Sequence, residues 1–399
     1  MGSIKDKVAI IGMGCTKFGE NFDKSANDMI IDAAYEAYND AGIEPNDIDA
    51  AWYGTYISGF TGQQLAEPLK LDFKPITRVE NMCATALDAI RNAAYGIASG
   101  VYDIVLALGV EKLKDTGIIG LPDAELVAST GWIGEAKTYR SQTETAPGHF
   151  AMLATSYFNK YNMSVEEGKK ICAEIEVKNH YNGTLSPKAH FRKEITVDMV
   201  LKAPTVAWPL GLFDCCGVSD GAAAAILVRA DRAKEFRSDP IFIKALQMAV
   251  GPTGWGWKDP DYDWTYIAET RHASQAAYAE AGISNPRKEI SIANVHDCFS
   301  ITELVNYEDL GFSQQGKASD DVKAGRFTLE GEQPVNTDGG LKCFGHPIGA
   351  SGLRMVYELY KQLQGKADTR QVKDPKVGLA HNLGGFPGST TCGVVIVGV

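Results

Sequence analysis

Four things are missing from this sequence, and each absence removes a class of function. No apolar run reaches the roughly 18 residues that a membrane-spanning helix needs. Positive charge is in deficit: 39 Lys and Arg against 50 Asp and Glu give a net charge of −11, which argues against binding a phosphate backbone as the main task. The eight cysteines lack metal-ligand spacing, since Cys215 and Cys216 are adjacent and the others are scattered, so no metal is expected. Low-complexity or linker-like stretches are also absent, so the parts of the chain are expected to share one continuous core. Met1-Gly2-Ser3-Ile4-Lys5-Asp6-Lys7 runs directly into Val8-Ala9-Ile10-Ile11 with no signal-peptide core, and Val397-Gly398-Val399 is not a targeting tripeptide. These features read as a cytoplasmic protein with reduced thiols, in which each cysteine either packs or catalyses.

What is present is a repeated alternation of strands and helices. Lys7 to Gly12 reads as a strand, followed by a helix from Ala26 to Ala41 with Ile30, Ala33, Ala34, Ala37 and Ala41 on one face and Gly42 closing it. About 240 residues later, Ala276-Ala277-Tyr278-Ala279-Glu280-Ala281-Gly282-Ile283 echoes this phrase and leads into strand-like Ile290 to Val295. Two related α/β lobes are therefore expected. Residues 111–213 break the alternation with polar helical segments, aromatics and loops, including Thr145-Ala146-Pro147-Gly148-His149-Phe150, and read as an inserted lid. The division expected is an N-terminal lobe of residues 1–110 plus 214–235, a lid of 111–213 and a C-terminal lobe of 236–399.

The chemistry gathers around Asn81-Met82-Cys83-Ala84-Thr85. Pro75 to Glu80 reads as a strand and the segment from Ala86 to Ile97 as an amphipathic helix, which sets Cys83 at a strand-to-helix corner. The unpaired N–H groups and dipole of such a helix start favour a thiolate. A second corner, His296-Asp297-Cys298-Phe299, places His296 and Cys298 two apart on an extended segment, where their side chains share one face. The glycine-dense run Gly339 to Gly352 presents His346 just before a further helix. Finally, Ala380-His381-Asn382-Leu383-Gly384-Gly385 follows a buried strand ending at Ala380, and its glycines could aim backbone N–H groups into the same cavity or simply turn the chain.

Cys83 at its helix start, Ser219-Asp220-Gly221-Ala222-Ala223-Ala224, His296-Asp297-Cys298-Phe299 and Gly345-His346-Pro347-Ile348-Gly349-Ala350-Ser351-Gly352, in this order, resemble the thiolase superfamily, specifically its sterol-carrier-protein-2 type. The resemblance covers essentially the whole chain. Degradative thiolases carry Asn-Glu-Ala-Phe where this chain has His296 to Phe299, and a second catalytic cysteine in a C-terminal Cys-x-Gly motif. Here that segment reads Asn382-Leu383-Gly384, so the resemblance points to Cys298 for the acid/base thiol and leaves Cys392 a packing residue. On this resemblance the sequence is expected to end with the thiolase core, without the tail that gives the subtype its name.

The resemblance implies a duplicated five-layered αβαβα fold, a homodimer or dimer of dimers, and a loop domain that receives coenzyme A as co-substrate, with no permanently bound cofactor. Cys83 would be the nucleophile toward a 3-oxoacyl-CoA, His346 its base, and Cys298 the acid and base for the leaving acyl-CoA and incoming coenzyme A. His296 and His346 would form one oxyanion hole, and the backbone N–H groups of Cys83 and Gly384 the other. A small OB-fold, zinc-ribbon partner subunit is also expected from the subtype. The aromatic group Trp255, Trp257, Tyr262 and Trp264 reads either as a roomy pocket for a bulky substrate such as benzoylsuccinyl-CoA or as an interface patch. The alternatives are an acetoacetyl-CoA-forming acetyltransferase, a condensing synthase of the ketoacyl or hydroxymethylglutaryl type, and a silent acyl-CoA-binding subunit of a complex.

Overall fold

A computed structural model describes residues 2–116 and 145–399; the expected lid therefore lies partly, over residues 117–144, outside the described residues. The first half supplies strands β1 (Val8–Cys15), β2 (Ala50–Gly54), β3 (Ile76–Val79), β4 (Ile104–Glu111) and β7 (Gly221–Arg229), with a short hairpin of β5 (Thr205–Ala207) and β6 (Leu210–Gly211) between them. The second half supplies β8 (Ile241–Val250), β9 (Ile292–Asn294), β10 (Val377–Phe386) and β11 (Ser389–Gly398). Nine strands form one sheet in the order β3-β2-β4-β7-β1-β8-β11-β10-β9. The halves meet where β1 pairs with β8 over Ala9–Phe242 and Ile10–Ile241.

Alternating side chains of β7 separate two cores. Ala222, Ala224, Ile226 and Val228 face helix α1 (Ala26–Ala41), whereas Ala223, Ala225 and Leu227 face inward. Helix α1 starts at a Ser25–Asp28 capping box and ends at Gly42, whose φ of 70° suits glycine. The repeated phrase forms α6 (Ala268–Ala281), ended by Gly282 at φ 77° and packed on β8 and β11 as α1 packs on β1 and β7. Helices α3 (Thr85–Ala98) and α8 (Ser351–Leu363) each touch strands of both halves and each other, forming a middle helical layer. The result is a mixed α/β sheet structure with helices outside and between its two halves. A short α2 (Gln63–Leu69) follows β2, while α4 (Ala146–Lys160) and α5 (Val165–Leu185) pack on α7 (Ser300–Asp309).

Two strands run further than their apolar patterns suggest. β1 extends to Cys15 because Gly12 to Cys15 pair with Ala223 to Ile226. β10 continues through His381 to Phe386, opposite Ser389 to Val394, so Gly384 and Gly385 sit in a paired strand rather than a turn. The two halves interlock at Gly109, where an added Cβ would lie 2.2 Å from the Gly349 carbonyl oxygen. Gly109→Ala is expected to lower stability by about 1–3 kcal/mol, the usual range for overpacking, read as a lower urea midpoint at unchanged slope.

Candidate active site

Cys83 lies in a tight corner before α3. Met82 has φ 51°, Asn81 and Cys83 bridge each other, and Thr85 Oγ1 accepts from the Asn81 N–H at 2.8 Å. Helix α3 begins at Thr85, two residues after the sulfur, and its first N–H groups close the corner: Ala84 N–H donates to the Asn81 carbonyl and Thr85 N–H to the Met82 carbonyl, each at 3.1 Å. His346 occupies the matching corner before α8, and its Nε2 stands 3.1 Å from Cys83 Sγ. The close approach of the two helix starts requires Gly352, where a Cβ would fall 2.7 Å from Leu87 Cγ.

Ser351 fixes which imidazole nitrogen faces the sulfur. Its hydroxyl donates to the Pro347 carbonyl at 2.9 Å and so accepts from His346 Nδ1 at 2.8 Å. Nδ1 then carries the hydrogen, and Nε2 is free to accept the thiol proton. The motif alone gives Ser351 no role; its place on the first turn of α8, five residues after His346, is the local signal for one.

The His296-to-Phe299 segment brings the other two residues to the same place. The His296 ring stands edge-on to His346 with centroids 5.4 Å apart. Its Nδ1 lies 2.6 Å from Asn382 Oδ1 and 3.3 Å from the Leu383 N–H. Cys298 is 7% exposed, and burial pushes its thiol well above the ordinary range, with Cys216 and Cys83 adding to the rise; Cys216 acts in the same sense on Cys83. Cys216 is a member that sequence reasoning missed. Cys215 bridges Phe299, and the Cys216 N–H donates to the Cys298 carbonyl at 2.9 Å, so Cys216 and Cys298 stand opposite one another with side chains on one face. Nothing in the local pattern of Asp214-Cys215-Cys216-Gly217 marks this pairing.

Gly384 sits against the Cys83 corner: a Cβ there would lie 3.2 Å from Cys83 N and 2.3 Å from the Asn81 carbonyl oxygen. Cys392, by contrast, is fully buried within β11. The Trp255–Trp264 group forms a linked aromatic set around Tyr262, with ring centroids 4.5 to 4.8 Å apart, and Trp255 Nε1 donates to Glu269 at 2.6 Å. It packs on the β10–β11 turn, where Gly256 N–H donates to the Gly388 carbonyl at 3.0 Å, and Trp257 is 41% exposed.

Electrostatics correct one expectation. The helix start was expected to favour thiolate at Cys83, yet burial dominates and pushes its thiol well above the ordinary range, with Cys216, Glu80 and Glu111 adding to the rise. Burial also holds His346 well below the usual histidine range, helped by His296 and Arg354, and lowers His296 to about 4. Desolvating a charge outweighs the partial charges of one helix end. The resting pair is a neutral thiol beside a neutral imidazole. Among the described residues, no group of three His, Cys, Asp or Glu side chains is placed to hold a metal ion, and no helix is long and apolar enough to cross a membrane.

A pH dependence follows from these signs. Protonated His346 cannot accept the thiol proton, and its lowered pKa moves that loss below pH 6.5. The rate of Cys83 alkylation by iodoacetamide, followed by peptide mass spectrometry, is therefore expected to stay level from pH 7.5 down to pH 6. A titration step near 6.5 would contradict the neutral pair.

Comparison with known proteins agrees with this geometry. Residues 8–231 match the family model described as thiolase, N-terminal domain, and residues 259–397 match thiolase C-terminal domain-like. The chain is 38% identical over 388 residues to an acetyl-CoA acetyltransferase of Methanothermobacter thermautotrophicus, covering 96% of this chain and 97% of that one. It is 31% identical to sterol carrier protein 2 of Gallus gallus, over 98% of this chain and 74% of that protein. It is 30% identical to the benzoylsuccinyl-CoA thiolase subunit BbsB of Thauera aromatica, over 96% of each. Among solved structures, the Ltp2-ChsH2(DUF35) aldolase superposes with a TM-score of 0.84 at 24% identity, covering 100% of this chain and 99% of the other, which is a likeness of fold. The chain belongs to the thiolase family of acyltransferases, among relatives of the acetyl-CoA acetyltransferase and sterol-carrier-protein-2 kind.

Proposed function

We propose that this protein cleaves a 3-oxoacyl-CoA with coenzyme A, or runs the reverse condensation, through an acyl-enzyme on Cys83. The observation that carries the reading is the 3.1 Å contact of Cys83 Sγ with the hydrogen-free Nε2 of His346. His346 takes the thiol proton as the sulfur attacks the 3-keto carbon, and the N–H groups of Cys83 and Gly384 receive the tetrahedral oxyanion. The bond between C2 and C3 then breaks, leaving the acyl group on sulfur and an enolate. Its oxygen is met by Nε2–H of the newly protonated His346 and by His296, and Cys298 protonates its carbon. Coenzyme A loses its thiol proton to Cys298, attacks the Cys83 thioester, and the sulfur recovers its proton from His346. For His296 to donate from Nε2, its Nδ1 must accept. The Leu383 N–H supplies one donor, and Asn382 Nδ2, which is buried without a partner in the present amide orientation, supplies another once the amide is turned.

Several finer readings belong to the same proposal. The division into lobes of 1–110 with 214–235 and 236–399, with 111–213 as a lid, is supported by the contacts of α4 and α5 with α7, just behind Cys298. A homodimer or dimer of dimers in the cytoplasm is the expected state. A small OB-fold, zinc-ribbon partner is supported by one relative named as a subunit and by a structural neighbour named with a second component. A bulky or aromatic acyl group is supported by the benzoylsuccinyl-CoA relative, and an acetoacetyl-CoA-forming acetyltransferase by the more similar acetyl-CoA acetyltransferase of Methanothermobacter thermautotrophicus.

Thiolysis of straight-chain, branched and aromatic 3-oxoacyl-CoAs, followed by mass spectrometry, tests these readings together. Turnover is expected to vanish in Cys83→Ala and to fall about 10²- to 10⁴-fold in Cys298→Ala. Full activity of Cys83→Ala would exclude the mechanism. An unchanged acyl preference in a Trp255→Ala, Trp257→Ala double variant would eliminate the pocket reading of the aromatic group.

A further inference from the structure

Glu111, the last residue of β4, is fully buried and is the acceptor of six hydrogen bonds. Its Oε1 receives Thr55 Oγ1 at 3.0 Å, the N–H groups of Ile57 and Ser58 at 3.0 Å each, and Ser58 Oγ at 2.8 Å. Its Oε2 receives the N–H groups of Tyr56 at 2.8 Å and Gly349 at 2.9 Å. Five of these donors lie in the segment after β2, in the first half of the chain. The sixth lies three residues beyond His346, in the second half.

Both ends of this clamp reach the nucleophile. Tyr56 and Ile57 pack with Cys83, Leu113 and Ile348 in one small cluster, so the clamped segment forms a wall beside the sulfur. Gly349 ends the turn that carries His346, and the turn cannot shift independently: a Cβ on Gly349 would lie 2.7 Å from Thr55 Cα and 2.8 Å from Glu111 Oε2. Among the described residues, all the hydrogen-bond partners of the carboxylate are neutral, so it is not held as half of an ion pair. A buried carboxylate is costly unless its lone pairs are filled, and here filling them requires donors from both halves at once.

We propose that Glu111 is a positioning residue for the acyl-transfer site, setting the separation of His346 from Cys83 by tying the His346 turn to the wall of the nucleophile pocket. The proposal rests on Cys83 as nucleophile and His346 as its base. It gives the acid a role that its charge alone would oppose, because the charge of Glu111 disfavours ionisation of Cys83. Position and charge therefore act in opposite senses, which makes the two separable.

Glu111→Gln keeps the shape but replaces one acceptor oxygen with an NH₂ group, which must then face N–H or O–H donors on whichever side it occupies. Ser58→Ala removes one of the six bonds, and with it the acceptor of the Lys112 N–H, while leaving the carboxylate itself in place. Iodoacetamide labelling of Cys83 at pH 7.5, read by peptide mass spectrometry, is measured in wild type, both variants and His346→Ala, beside thermal unfolding and the kcat and KM of thiolysis. Labelling and kcat are expected to fall about tenfold in Glu111→Gln and about two- to fivefold in Ser58→Ala, with KM little changed. A folded Glu111→Gln that labels at the wild-type rate or faster overturns the proposal, even if its unfolding midpoint has dropped. Should Glu111→Gln fail to fold, a wild-type labelling rate in Ser58→Ala overturns it instead. Labelling of His346→Ala as fast as wild type removes the base on which the proposal stands, whereas slow His346→Ala with fast Glu111→Gln refutes the role of Glu111 alone.

Discussion

The structure depends on one contact across its two halves, the 3.1 Å approach of His346 Nε2 to Cys83 Sγ. Each residue stands just before a helix of the middle layer, and those helices can bring their starts together only because Gly352 leaves room for Leu87. The single sheet serves the same end. With β1 paired to β8, the duplicated halves hold a fixed relation, and the corners that the repeat generates twice face each other once. One corner supplies sulfur and the other imidazole.

Burial sets the chemistry of that contact. In water a thiol near a helix start would tend to ionise; enclosed here, the thiol is pushed up and the imidazole down, so the resting proton stays on sulfur and the proposed attack starts from a thiol. A neutral pair avoids the cost of separating charge in the resting state, and hydrogen-bond donors are needed only where charge develops later. The same principle governs the surroundings. Asp297, between His296 and Cys298, is raised to about 8 by burial and by Glu303, while the N–H groups of Leu341 and Lys342 hold its oxygens. Asp220 likewise collects the N–H groups of Leu113 and Lys114 and the Lys112 ammonium, fixing the chain as it leaves β4. The pocket is framed by buried carboxylates whose partners come from distant parts of the chain.

Much of this was legible in the residues themselves. The apolar period after Cys83, the echo of Ala33-Ala34-Tyr35 in Ala276-Ala277-Tyr278, and the glycines that end both helices are local signals, and they marked the corners and the duplication. Other features have no local signature. Gly384 and Gly385 look like a turn, yet pairing with Thr390 and Thr391 keeps them in a strand. The clamp at Glu111 joins residues up to 238 positions apart, and the pairing of Cys216 with Cys298 joins two segments that are unrelated in sequence. The ionisation state of Cys83 depends on how much water the whole fold excludes, which no short motif encodes.

The central claim is that a covalent acyl-enzyme forms on Cys83, and the most direct test is to trap it. Purified protein incubated with a 3-oxoacyl-CoA in the absence of free coenzyme A, then quenched in acid and digested, is expected to carry one acyl group on the peptide containing Cys83, and none when His346 is replaced by Ala. An adduct on Cys216 or Cys298 instead, or wild-type labelling without His346, would contradict the account.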